Sequence, residues 1–217
     1  MALTKTTHFV TLTLLVNFFS NFSPFILANH HHHADDISPQ NFPWPPTQNT
    51  TKADSSFFTY TAARSLVGAA PPTQFTTLNA DKTTFPALTG QGVSLSVLQF
   101  PPGVVNPPHS HPRSPELLLL LSGALRVGFI DAENKLFNQT LQAGDMFVFP
   151  KGMVHYHHNF LIDNTSVAVS AFASASPGLV SIPSNLFNSG IEDAILAQSF
   201  KTDVPTIERL KASVAGN

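Results

Sequence analysis

The chain contains no cysteine. That removes disulfides from its folding and thiolates from its possible metal ligands, and leaves packing or assembly to supply stability. Charge is scarce as well: Asp, Glu, Lys and Arg together make up 11% of the residues, and the formal net charge is −2. No cluster of Lys and Arg could track a phosphate backbone, which argues against a nucleic-acid partner. Long apolar runs are missing beyond the N-terminus. Even there Asn17, Ser20, Asn21, Ser23 and Pro24 interrupt the run well short of the roughly 20 residues a membrane span requires. What the chain does have is 42% hydrophobic residues over 217 positions, enough for one well-filled core and too short for two ordinary domains to be the first expectation.

Lys5, the apolar stretch from Phe9 to Phe19 and the small Ala28 after Pro24-Phe25-Ile26-Leu27 read as a secretory signal peptide over residues 1–28. The mature chain would then begin at Asn29, outside the cell. The triplets at Asn49, Asn138 and Asn164 fit that compartment as N-glycosylation acceptors, each read in a polar, turn-like stretch. Residues 29–57 lack a sustained period and read as an extended arm, in which His30 to His33 are a solvated start rather than a built metal site.

From residue 58 to 185 the rhythm is all-β. Val93 to Phe100, Glu116 to Ile130, Leu136 to Leu141, Met146 to Phe149, Val154 to Phe160 and Val167 to Ala173 are short, rich in leucine, β-branched and aromatic residues, and separated by Gly, Pro, Asn or Asp. The leucines from Leu117 to Leu121 lie between Pro115 and Gly123 and predict a strand covered on both faces of a two-sheet jelly roll. Over residues 186–217 the period changes: Ile191 to Phe200 and Asp203 to Val214 predict a helical hairpin, with Asp203 as an N-cap and Val204, Ile207, Leu210 and Val214 as its stripe. That stripe must dock on its own barrel or on a neighbouring subunit.

Four residues carry the chemistry. His109 and His111 stand two apart, so on a strand both imidazoles face one side. The prolines around them, Pro107, Pro108 and Pro112, stiffen the backbone and lower the entropy lost when ligands converge. Glu116 follows after a turn, and His155 opens the strand after the turn at Pro150-Lys151-Gly152. A surface or satisfied polar role would explain each of these histidines alone. It does not explain four ligand-type residues in two matched blocks. Three imidazoles and one carboxylate suit manganese, iron, nickel, copper or zinc before calcium or magnesium, and the residues themselves do not choose among them. His157 shares the inward side of His155 and reads equally as a candidate donor beside the pocket or as a barrel-lining or exposed histidine; His158 should face away, Arg113 reads as a solvated loop residue before a guide for an anion, and Asn159 reads as structural at a strand end.

These two blocks resemble the paired motifs of the cupin superfamily and, within it, of the germins and germin-like proteins of plants. The pattern G-x5-H-x-H-x4-E-x6-G is met by Gly103, His109, His111, Glu116 and Gly123, and G-x5-P-x4-H-x3-N by Gly144, Pro150, His155 and Asn159. The resemblance runs from about Phe85 to the C-terminus. It departs at the N-terminus, where germins carry a pair of cysteines and this chain has none. It implies a jelly-roll β-barrel closed by C-terminal helices, a manganese ion (Mn2+), an apoplastic or cell-wall location, and a homo-oligomer, a hexamer by analogy. Three functions follow from it: superoxide dismutation, oxalate oxidation yielding hydrogen peroxide, or a non-enzymatic role as a matrix or ligand-binding glycoprotein in defence or development. The family's oxalate oxidases set two asparagine amides near the substrate. One aligns with Asn106, but the other falls on Ser96, whose hydroxyl lacks the amide's two N–H donors, so dismutation is the preferred expectation.

Overall fold

The structure, a computed structural model, describes Pro45 and residues 54–215. The expected signal peptide, the histidine run, most of the arm and the triplet at Asn49 lie outside the described residues.

Among the described residues ten strands form two antiparallel sheets: β1 (Thr76–Ala80), β2 (Ser94–Phe100), β3 (Val105–Ser110), β4 (Glu116–Ser122), β5 (Ala124–Ile130), β6 (Leu136–Gln142), β7 (Met146–Phe149), β8 (Val154–His158), β9 (Ser166–Phe172) and β10 (Val180–Ser181). One sheet runs β1-β2-β9-β4-β7 and the other β10-β3-β8-β5-β6. Chain neighbours such as β3 and β4 thus sit in different sheets, and this is what lets sequence-adjacent residues face each other across the interior.

The apolar segments become strands nearly as the alternation predicts. The long block from Glu116 breaks at Gly123 into β4 and β5. Gly123 has φ +81°, and a Cβ there would come within 2.3 Å of Ser166 Oγ, so only glycine lets the two strands turn tightly against β9. Three strands escape the pattern. β1 is polar, β3 holds Pro107 and Pro108, and β10 is two residues long, so none shows an apolar alternation.

Between the sheets lies a core of Leu98, Phe100, Leu118, Leu120, Leu125, Val127, Leu141, Phe149 and Ala168. The expectation that the leucine run is covered on both faces is corrected here: Leu118 and Leu120 point into the core, whereas Leu117 is 45% exposed. The reason is the antiparallel sheet itself, which in a single chain packs one face and leaves the other open. Across that open face, Leu95, Ala171, Leu117 and Val148 fall in one register row, and Val97, Val169, Leu119 and Met146 in the next. Met146 and Val148 are 56% and 55% exposed.

Three helices follow: α1 (Ile182–Phe187), α2 (Asp193–Phe200) and α3 (Val204–Ala215). α1 begins ahead of residue 186, and its isoleucine-proline start carries no helical period long enough to be seen in sequence. Asp203 Oδ1 accepts from the Thr206 N–H at 2.7 Å, the N-cap expected of it. Leu196, Ala197 and Ile207 form a small core of their own, with Phe187 and Ile191 packed against it. Val204 and Leu210 of the expected stripe stay partly exposed, at 37% and 39%. None of the described helices is long and apolar enough to cross a membrane.

Candidate metal centre

The two sheets contribute different donors to one point in the interior. His109 lies on β3 and His155 on β8, directly paired in register, and Glu116 opens β4 in the opposite sheet. His111 stands just beyond the end of β3, so its convergence with His109 depends on the loop rather than on strand alternation alone. The ligand atoms of His109, His111, Glu116 and His155 all lie within 4.8 Å of one another. That is close to the span across one ion, about twice a metal–ligand bond of ~2.1 Å.

The proton positions explain why these side chains can serve together. Each imidazole turns Nδ1 to a main-chain carbonyl: His109 to Pro107 at 2.7 Å, His155 to Met153 at 2.8 Å, and His111 to Gly178. A carbonyl only accepts, so each ring carries its proton on Nδ1 and turns a lone pair at Nε2 inward. His111 Nε2 and His155 Nε2 each stand 3.2 Å from Glu116 Oε2. Lone pairs facing a carboxylate oxygen repel unless a cation lies among them. The donor set therefore fits a divalent metal ion, and the backbone carbonyls behind the rings are the partners that orient metal-ligating histidines.

Electrostatics point the same way. Burial, with the neighbouring His155 and His157 adding to it, lowers the His109 pKa to about 3, so this ring is neutral and ready to coordinate at neutral pH. Burial pushes the Glu116 carboxyl up, but the hydrogen bonds that His111 and His155 donate from Nε2 when protonated outweigh it, and the group lies well below the usual carboxylate range; a bound cation would stand in for those protons. It is ionised where it is needed.

His109, His111 and Glu116 line a cavity of about 360 Å³, together with Asn79, Ser96, Asn106, Arg113, His157 and Phe172. Asn106 Nδ2 lies 3.2 Å from His157 Nδ1, and His157 is fully buried, with its pKa lowered to about 4 mainly by that burial. His158 faces away from the interior, as expected. Arg113 does more than the solvated role expected of it. It is exposed, yet its Nε donates to the Ser176 carbonyl at 2.6 Å and its Nη2 to Ser176 Oγ at 3.1 Å, at the cavity mouth. A Cβ at Gly178 would lie 2.8 Å from that guanidinium, so glycine is what admits it.

Two residues went unseen in the sequence. Ser170 on β9 donates to Glu116 Oε1 at 2.5 Å. Asn79 on β1 pairs with Ser96 across the sheet and accepts its hydroxyl hydrogen at 2.6 Å. Neither sits in a motif, and only strand register brings them in. Asn159 is structural, its amide donating to the carbonyls of Phe100, Pro101 and Asn164. Asn164 and Asn138 are exposed, although Asn138 lies within the edge strand β6 and not in a turn.

Residues 71–208 match the family model described as Cupin. Germin-like protein 9-3 of Oryza sativa subsp. japonica is 52% identical over 175 residues, which cover 78% of this chain and 81% of that protein. This chain is a germin-like member of the cupin family. Germin-like protein subfamily 2 member 4 of Arabidopsis thaliana is 36% identical over 181 residues, covering 82% of this chain and 81% of its own length. Among solved structures, one of an oxalate oxidase superposes with a TM-score of 0.71 at 29% identity, over 78% of this chain and 87% of that one. The fold is the cupin arrangement of two antiparallel sheets with a short helical C-terminal part. The histidine-and-glutamate cluster lies between those sheets.

Proposed function

We propose that this germin-like protein is secreted, binds a single manganese ion (Mn2+) through His109, His111, Glu116 and His155, and dismutes superoxide in the plant apoplast or cell wall. The observation that carries the reading is the inward lone-pair set: carbonyl contacts at Nδ1 of three histidines leave each Nε2 free to coordinate, with those of His111 and His155 3.2 Å from Glu116 Oε2 and the His109 ligand atom within 4.8 Å of the other donors. A nitrogen and oxygen set without sulfur suits manganese, and an ion held there supplies the change of oxidation state that dismutation needs. The chain's own part is to orient the donors, keep Glu116 ionised and leave a cavity that a small anion can enter, with Arg113 at its mouth.

Metal analysis of the purified full chain, with a dismutase assay in the presence and absence of chelator, tests this directly. Manganese near one per chain, and activity lost in His109→Ala and Glu116→Ala protein that still folds, support it. Stoichiometric zinc or copper in place of manganese, or activity that survives those substitutions, overturns it.

One observation favours a second reading, oxalate oxidation with release of hydrogen peroxide: the Asn79 amide stands at the cavity wall beside Ser96, near where the alignment finds an amide missing. Dismutation is preferred because it asks for no substrate-specific amide. Peroxide produced in step with oxalate loss reverses that preference. Exposure of Asn138 and Asn164 supports glycosylation, and the apolar outer face built on Leu95, Leu117, Met146 and Val148 supports a homo-oligomer, a hexamer by analogy with germins. A protein without either activity but with metal, glycans and this assembly would be the non-enzymatic matrix glycoprotein.

A further inference from the structure

Three histidines at the centre share one arrangement, and a fourth inverts it. His109, His111 and His155 turn Nδ1 to carbonyl oxygens and so keep a lone pair at Nε2. His157 turns Nδ1 to the amide nitrogen of Asn106 at 3.2 Å. An amide nitrogen only donates, so His157 Nδ1 accepts and the one proton of the neutral ring sits on Nε2. That atom is buried and has no hydrogen-bond partner among the described residues, and it lies 3.8 Å from Glu116 Oε1. A buried donor left unpaired is costly, so its place beside a carboxylate calls for a reason.

The other contacts of Glu116 supply one. Oε1 already accepts from the Ser170 hydroxyl at 2.5 Å, while Oε2 alone faces His111 and His155. We propose that Asn106 and His157 are positioning residues for Glu116: Asn106 sets the tautomer of His157, and the resulting Nε2–H dipole, 3.8 Å from Oε1, attracts that edge electrostatically beside the Ser170 hydrogen bond, so that the carboxylate presents one oxygen to the ion. This rests on the metal-binding reading above. A carboxylate offering one oxygen takes one coordination position, whereas both oxygens would take two and close a position that a small anion needs. Phe149, edge-on to the His157 ring with centroids 5.0 Å apart, and Phe100 at 5.8 Å hold the ring plane for this task. The inversion also explains why His157, two residues from a ligand on the same face of β8, stays outside the ligand set. Its Nε2 carries a proton where the others carry a lone pair.

The experiment has a metal-free arm and a metal-loaded arm. In the metal-free full chain, long-range proton–nitrogen correlations in the imidazole rings report each tautomer. The expected result is Nε2–H for His157, switching to Nδ1–H in Asn106→Asp, whose carboxylate accepts. Nδ1–H in the native protein overturns the proposal, and this measurement needs no variant to fold. In the manganese-loaded protein, His157→Leu is expected to alter the zero-field splitting seen by electron paramagnetic resonance and to weaken manganese roughly 10–100-fold. His157→Gln, which keeps a donor, should restore both. An unchanged spectrum and affinity in folded His157→Leu overturns the relay. Failure of the native protein to bind manganese, with the expected tautomers intact, instead overturns the metal reading on which it rests.

Discussion

Ser170 Oγ donates to Glu116 Oε1 at 2.5 Å, reaching from β9 to the first residue of the neighbouring strand β4. A hydroxyl on one strand thereby fixes the rotamer of a carboxylate on the next, and the carboxylate's other oxygen is left to His111 and His155. Ser170→Ala removes that restraint without adding bulk. Metal affinity, measured by calorimetry or competition with a chelator, should fall roughly 10–100-fold while the circular dichroism spectrum stays native. An affinity equal to the parent's would show that Ser170 does not support the ligand.

Removing the carboxylate charge should remove the ion's stabilising effect. Metal at about 100 times its dissociation constant adds roughly 2.7 kcal/mol to a protein that binds it only when folded. The parent should lose that increment on chelation, seen as a lower Tm, whereas Glu116→Gln should melt at the same temperature with or without added manganese.

The metal-free protein should lose stability in acid. His109 and His157 titrate near 3 and 4 in the folded chain and near 6.5 when unfolded, so between those limits the unfolded state binds more protons and stability rises with pH. Glu116, lowered in the folded state by its imidazole neighbours against the effect of burial, acts in the same sense: its contribution is present above the unfolded carboxyl pKa and lost as pH falls through the folded one. Denaturant midpoints should therefore decline from about pH 6.5 downward. A midpoint independent of pH between 4 and 6.5 would contradict the burial argument.

Asn159 should matter for stability and not for the metal. Its amide nitrogen faces the carbonyls of Phe100, Pro101 and Asn164, and its oxygen accepts from the Leu161 N–H at 3.1 Å, all at a fully buried position. Asn159→Ala strands those groups and should cost about 2–3 kcal/mol, a fall of several degrees in Tm, with manganese affinity near the parent's.

Gly123→Ala tests the turn between β4 and β5. The added methyl meets Ser166 at a φ of +81°, combining strain with a clash, and should destabilise by about 1–3 kcal/mol or more. Thermal melting of the variant reads this out, and a Tm matching the parent's would show that β9 can move aside.

Much of this protein is legible before folding, and the boundary has a physical cause. Alternation along single strands is a local property, so β2 and β4 to β9 stand out, and so do α2 and α3 by their helical period. The two histidines of H-x-H, Glu116 and His155 are visible because they fall at set covalent spacings within two short blocks, and the structure brings those same four together. β1, β3 and β10 carry no such signal, since polar residues, paired prolines and a two-residue length erase it. The contact of His111 with Gly178, the Ser170 contact with Glu116, the Asn79 partner of Ser96 and the inverted His157 all depend on which strands and loops lie side by side. Residues far apart in the chain meet there, and no periodicity within one segment encodes the meeting. The residue types and their order along the chain determined the donors, while the sheet pairing decided that they meet around one point, because His109, Glu116 and His155 sit on three strands of two sheets.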